Sequence, residues 1–153
     1  MKKIILLLIS CLLIGCTKEE KIEKFYLNDN YYSNIEIKEI SDTEYNNLIE
    51  DKDSFALLIY MPGCTTSAKF SKIVEDFSNE NNISFYKMKW ADAKKTKIYD
   101  FLKYYPSVIV YNKGEHKAYL KADSDDDLVY YESVNDFKTW MEKYVYLDKE
   151  SNY

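Results

Sequence analysis

Residues 55–60, FALLIY, form an unbroken apolar run of strand length, the pattern of a strand buried on both faces. Met61, Pro62 and Gly63 break the run, and Cys64 follows. Beyond it Phe70, Ile73, Val74 and Phe77 recur at i, i+3, i+4 and i+7, which predicts a helix over 65–81. Upstream, Ile35, Ile37 and Ile40 alternate with charges as in a half-buried strand. Ser41 and Glu44 then have the spacing of a capping box, opening a short helix with Tyr45, Leu48 and Ile49 on its buried side. Downstream, 83–90 is rich in β-formers, with Tyr86, Met88 and Trp90 on one face. Ile98, Phe101, Leu102 and Tyr105 predict a helix over 94–104, stopped by Pro106. Residues 107–111 and 115–121 read as a hairpin around Asn112-Lys113-Gly114. Residues 123–127 read as a loop. A closing helix over 133–146 is capped by Ser133 and striped by Val134, Phe137, Trp140, Met141, Tyr144 and Val145. The order β-α-β-α-β-α-β-β-α asks for parallel crossovers first and a hairpin last. A central mixed sheet with helices on both faces meets both demands, so the fold class is α/β.

The N-terminus has its own pattern. Lys2 and Lys3 precede an apolar stretch over 4–14 that is short for a membrane span and right for a secretory signal. The closing Leu13-Ile14-Gly15-Cys16 resembles the lipobox of bacterial lipoproteins. That resemblance implies cleavage before Cys16 and a diacylglycerol on its sulfur. The expected division is therefore a signal peptide over 1–15, a lipidated polar tether over 16–34, a domain over 35–147 and a tail over 148–153. The expected location is the extracytoplasmic face of the cell membrane, held by lipid.

Charge and cysteine usage narrow the chemistry further. The formal net charge is −5, and none of the cationic residues is arginine. This argues against a basic surface for nucleic acid. Of three cysteines, Cys11 leaves with the signal and Cys16 takes the lipid, so Cys64 alone remains as a thiol. It stands where a strand hands over to a helix, next to unpaired N–H groups and the positive end of the helix dipole. Both favour thiolate over thiol. The hydroxyls of Thr66 and Ser67, one turn on, add donors for the same anion.

Over 35–146 this order resembles the thioredoxin superfamily, a three-layer sandwich. The motifs are Tyr60-Met61-Pro62-Gly63-Cys64-Thr65-Thr66-Ser67, matching the active-site loop, and Tyr105-Pro106-Ser107-Val108-Ile109-Val110-Tyr111, matching the segment with the family's cis-proline. Residues 60–70 are also similar to the bacteriocin transport accessory proteins, whose C-x-x-C is followed by a basic residue and Phe. The resemblance implies a cis Tyr105–Pro106 bond. It also implies a role for the Pro106 loop, with Tyr105, Gly63, Thr65 and Thr66, in holding a substrate chain.

Three departures limit the activity. Ser67 replaces the second cysteine, Gly63 the aromatic before the first, and Leu58 the buried acid six positions earlier. With Cys64 and Ser67 as the catalytic pair, the expected function is membrane-anchored thiol–disulfide exchange, as an oxidoreductase or isomerase. It passes through a mixed disulfide that an external thiol resolves. Its partners are protein thiols or disulfides, and the protein is expected to be a monomer needing no cofactor or metal. The alternative is a redox-inactive lipoprotein that binds a protein or peptide. Asp123, Asp125, Asp126 and Asp127 lack the spacing of a calcium loop, and His116 reads as a surface residue. Tyr104, Tyr105, Tyr130 and Tyr131 could line a peptide groove beside Pro106 but read as half-buried packing, with Tyr105 the best placed to meet a ligand.

Overall fold

The computed structural model describes residues 23–33 and 35–148. The expected signal peptide and Cys16 lie outside these residues, as do most of the tail and the first part of the tether. Five strands form one sheet: β1 (Ile37–Glu39), β2 (Ala56–Tyr60), β3 (Phe85–Lys89), β4 (Ser107–Asn112) and β5 (Glu115–Tyr119). Their spatial order is β1-β3-β2-β4-β5. β1 and β2 run parallel to β3, while β4 runs antiparallel to β2 and β5 to β4. The apolar run that makes β2 lies in the middle of the sheet, where both faces are covered.

Register separates the two faces. Leu57 lies opposite Tyr86 and Ile109, so their side chains share one face. On that face Tyr111 stacks on Phe55 with ring centroids 4.6 Å apart. The helix α1 (Asp42–Glu50) covers it, and its Tyr45 hydroxyl shares a 3.0 Å hydrogen bond with that of Tyr111. Burial pushes both phenols up, so the pair stays neutral. The opposite face carries Phe85 under α2 (Thr65–Asn81) and α6 (Val134–Met141). Phe137 meets Phe77 at 5.0 Å and Phe70 at 5.5 Å, both edge-on. This is the α/β three-layer sandwich the sequence pattern asks for.

Local chemistry explains where the elements begin and end. The Ser41 capping box forms in full: Ser41 Oγ accepts from the Glu44 N–H and Glu44 accepts from the Ser41 N–H. At the hairpin, Lys113 and Gly114 both take positive φ, the signature of a type I′ turn. A Cβ on Gly114 would come 2.5 Å from the Ile49 carbonyl oxygen, so the turn can dock on the end of α1 only without a side chain. The predicted helix over 94–104 is not continuous. It is replaced by two single turns, α3 (Trp90–Ala93) and α4 (Ile98–Phe101). The Thr96 hydroxyl donates to the Ala93 carbonyl and accepts from the Ile98 N–H, capturing backbone groups that a longer helix would use. Trp90, expected at the end of a strand, opens α3 instead. Residues 125–128, expected as loop, make the short helix α5 (Asp125–Leu128), and α6 stops at Met141, before the predicted end.

The described part of the expected tether is not a tether. Phe25, Leu27 and Tyr31 are buried in the main core. Phe25 exchanges backbone hydrogen bonds with Tyr144 and Tyr146, at 2.9 and 3.0 Å. The Tyr31 hydroxyl donates to Asp53 at 2.9 Å, and the Tyr32 hydroxyl donates to the Tyr146 carbonyl at 2.7 Å. The folded unit thus begins before residue 35. The expected membrane anchoring and membrane localisation are corrected as well. Among the described residues no helix is long and apolar enough to cross a membrane, and nothing in them supports attachment to one.

Leu27→Ala tests the revised boundary. Leu27 is 2% exposed, so truncating it should cost about 2–5 kcal/mol in urea unfolding. A change near zero would restore the tether.

Candidate functional site

β2 ends at Tyr60, and the chain turns through Met61-Pro62-Gly63. The Cys64 N–H donates to the Met61 carbonyl at 3.3 Å, with Pro62 and Gly63 at the turn's two central positions. Gly63 has φ +77°, the value a type II turn requires after proline and one that glycine adopts without strain. Cys64 then occupies the N-cap of α2, and its carbonyl accepts the first helical hydrogen bond from the Ala68 N–H at 3.0 Å. The segment is thus a strand, a Pro-Gly turn and a helix N-terminus within a few residues, with the thiol at the junction.

Ser67 is the centre of this junction. Its side chain is buried and its Oγ accepts the Met61 N–H at 3.1 Å. With that lone pair occupied, its own O–H is free to donate to the Cys64 sulfur. The neutral thiol makes no capping hydrogen bond; the donors act on the anion. The Ser67 N–H and hydroxyl lower the Cys64 pKa most; burial opposes them, and the Thr66 N–H and hydroxyl add smaller contributions that lower it further. Cys64 remains partly exposed. Because folding lowers this pKa, the thiolate favours the folded state at pH values above the unfolded thiol's pKa. That contribution fades as pH falls through the folded value.

The expected site residues divide into two groups. Gly63, Cys64 and Thr65 line an open cleft of about 480 Å³ together with residues 60–62, Ala68, Ser71 and Lys87. Thr66 is exposed beside it, with Ser67 beneath. Tyr105 and Pro106 do not line the cleft, but they lie at the same end of the sheet. Ser107, the first residue of β4, is opposite Ile59, which brings Pro106 level with the end of β2. The Tyr105–Pro106 bond is cis. Pro106 itself is buried, and Tyr105 is half-buried, its ring 5.5 Å from that of Trp90. The Tyr131 hydroxyl donates to the Pro106 carbonyl at 2.9 Å, and its ring packs 4.4 Å from that of Phe70 in α2. Tyr131 thereby ties the Pro106 loop to the helix that carries Cys64.

Two features escaped the sequence reading. One is Tyr131, whose role depends on a contact between distant segments. The other is Lys87, which the sequence did signal: a lysine inside a strand, flanked by Tyr86 and Met88, is out of place unless its ammonium reaches a cleft. His116 is exposed and stacks on Phe101 with centroids 4.1 Å apart. Asp127 accepts the Lys121 N–H at 2.8 Å, a structural contact. Among the described residues no group of three or more His, Cys, Asp or Glu side chains is placed to hold a metal ion.

No family model matches the chain, and no curated protein matches it in sequence. Solved structures do. The oxidised thioredoxin of Plasmodium falciparum superposes with a TM-score of 0.52 at 17% identity, covering 70% of this chain and 96% of that one. Thioredoxin O1 of Arabidopsis thaliana in its oxidised state gives 0.53 at 14% identity, over 71% of this chain and 96% of its own. Thioredoxin O2 of the same plant, also oxidised, gives 0.50 at 13% identity, over 71% and 93%. At such identities the likeness is one of fold, and the chain has the thioredoxin fold. The expected function is corrected in the same light. Its membrane-anchored setting is what fails: among the described residues no helix is long and apolar enough to cross a membrane and nothing in them supports anchoring, while Cys64 is the one free cysteine there, as a single-thiol reading requires.

Ser67→Ala isolates the donor to sulfur. The pH midpoint of Cys64 alkylation should rise relative to wild type. The Met61 N–H, left without its acceptor, should cost about 1–3 kcal/mol of stability. An unchanged midpoint would show that the hydroxyl does not act on the sulfur.

Proposed function

We propose that this thioredoxin-fold domain works as a monothiol, capturing an oxidised sulfur of a partner chain on Cys64. The Cys64 thiolate attacks one sulfur of a partner disulfide. The S–S bond breaks, the other partner sulfur leaves as thiolate and takes a proton from water, and a mixed disulfide to Cys64 remains. Ser67 stands where a second thiol would have to attack, so the mixed disulfide persists until an external thiol displaces Cys64. The carrying observation is the partly exposed Cys64 sulfur, with its pKa lowered by the donors of Ser67 and Thr66 at the start of α2. In this reading Cys64 is the nucleophile and Ser67 its positioning donor. The backbone at Tyr105 and Pro106, with Gly63, Thr65 and Thr66, receives the partner's extended chain.

The test is trapping with an oxidised peptide followed by mass spectrometry of the intact protein. Wild type should gain the mass of one peptide half, lost on adding reductant, and Cys64→Ser should gain nothing. Ser67→Cys should shorten the adduct's lifetime, because a second thiol then lies within reach of the mixed disulfide. Adducts that form equally on Cys64→Ser, or none on wild type, would overturn the proposal.

A further inference from the structure

The Cys64 cleft contains one charged side chain among the residues that line it, Lys87. Lys87 lies opposite Leu58 in the parallel ladder, so the two side chains share the face covered by α2. Leu58 stands at the position where the sequence resemblance leads one to expect a buried acid. On the β2 side the lysine therefore meets hydrocarbon, while on the β1 side it lies opposite Glu39. No acidic side chain among the described residues forms an ion pair with Lys87. Glu39, its cross-strand neighbour in β1, feels the Lys87 charge, but its carboxylate oxygens are engaged by Lys89 at 2.7 Å and by the Tyr60 hydroxyl at 2.5 Å. What holds Lys87 is the Tyr60 ring, 5.9 Å from its ammonium. Lys87 is half-buried, so its stem is fixed against the sheet while its head faces the cleft that Cys64 shares.

A half-buried cation that lines the cleft of a nucleophilic sulfur, and whose cross-strand carboxylate is already shared with Lys89 and Tyr60, can receive negative charge on whatever the sulfur attacks. Resting on the monothiol reading above, we infer that Lys87 selects peptide disulfides with a carboxylate, Asp or Glu, next to the attacked cysteine. The carboxylate pairs with Lys87 as the partner's sulfur comes into line with Cys64. Lys87 thus acts on the substrate and takes no part in the bond exchange itself.

The experiment compares reaction rates of Cys64 with two peptide disulfides that differ only in Asp or Asn beside the cysteine. Each rate is divided by that of a free cysteine amide with the same peptide. Small disulfides supply the second arm: dithiobis(nitrobenzoate) with carboxylates, uncharged dithiodipyridine and cationic cystamine. Wild type should favour the Asp peptide by about fivefold at low salt, the range of a partly screened ion pair, and lose the preference as salt rises. Lys87→Gln should abolish the preference and change the Asp-peptide rate far more than the dithiodipyridine rate, and Lys87→Glu should reverse it. If dithiobis(nitrobenzoate) shows the preference and the Asp peptide does not, the site selects small anionic disulfides and the peptide assignment falls. Equal rates for the Asp and Asn peptides in wild type, or a Lys87→Gln change shared by all reagents, would overturn the inference while leaving the monothiol reading standing. If no disulfide reacts with Cys64 faster than with the free amide, the monothiol reading fails and takes this one with it.

Discussion

The site depends on one hydroxyl. Ser67 is buried in the first turn of α2, takes the Met61 N–H on its oxygen and, through its own N–H and hydroxyl, lowers the Cys64 pKa. That single group joins the end of β2, the Pro-Gly turn and the helix N-terminus into one rigid corner. A serine suits the place because it can accept and donate at once. Alanine would leave a backbone donor stranded, and a second cysteine would trade the fixed hydrogen bond for a competing nucleophile. The sulfur's reactivity and the geometry of the turn are therefore one property of the corner.

Around this corner, polar and apolar groups are divided by face. The α1 side of the sheet holds neutral tyrosines paired with one another, as Tyr45 and Tyr111 are. Burial pushes Tyr60 up to about 12, and Glu39 adds to the shift through its hydrogen bond, so this ring too stays neutral beside the cleft. Lys89 and the Tyr60 hydroxyl hold Glu39 below the usual carboxylate range. These groups satisfy one another, and Lys87, opposite Glu39 in the β1–β3 ladder, is the one charged side chain that lines the cleft. The Pro106 loop reaches the same end of the sheet through β4 and is fastened to α2 by Tyr131.

Much of this was legible in the sequence, for local reasons. The helix over 65–81 could be read because its apolar period is unbroken, and the Ser41 capping box because its partners are three residues apart. Cys64 was placed by a break in hydrophobicity that coincides with a real turn. The failures share a different cause. Phe25, Leu27 and Tyr31 are too few and too widely spaced to show a period, and their partners are distant in the chain: Phe25 meets Tyr144, Val145 and Tyr146, and Tyr31 meets Asp53 and Tyr86. The interruption between α3 and α4 comes from one threonine hydroxyl bonding to the backbone, an event that periodicity does not register. Lys87 acquires meaning only through its register with Leu58, which depends on strand order.

The central claim is that folding turns Cys64 into a stabilised thiolate. The most direct measurement is the ultraviolet absorbance of the thiolate, titrated in the native protein and again in denaturant. The account predicts a native midpoint clearly below the denatured one, with the difference removed when Cys64 is replaced by serine. Coincident midpoints, or a native value above the denatured one, would contradict it.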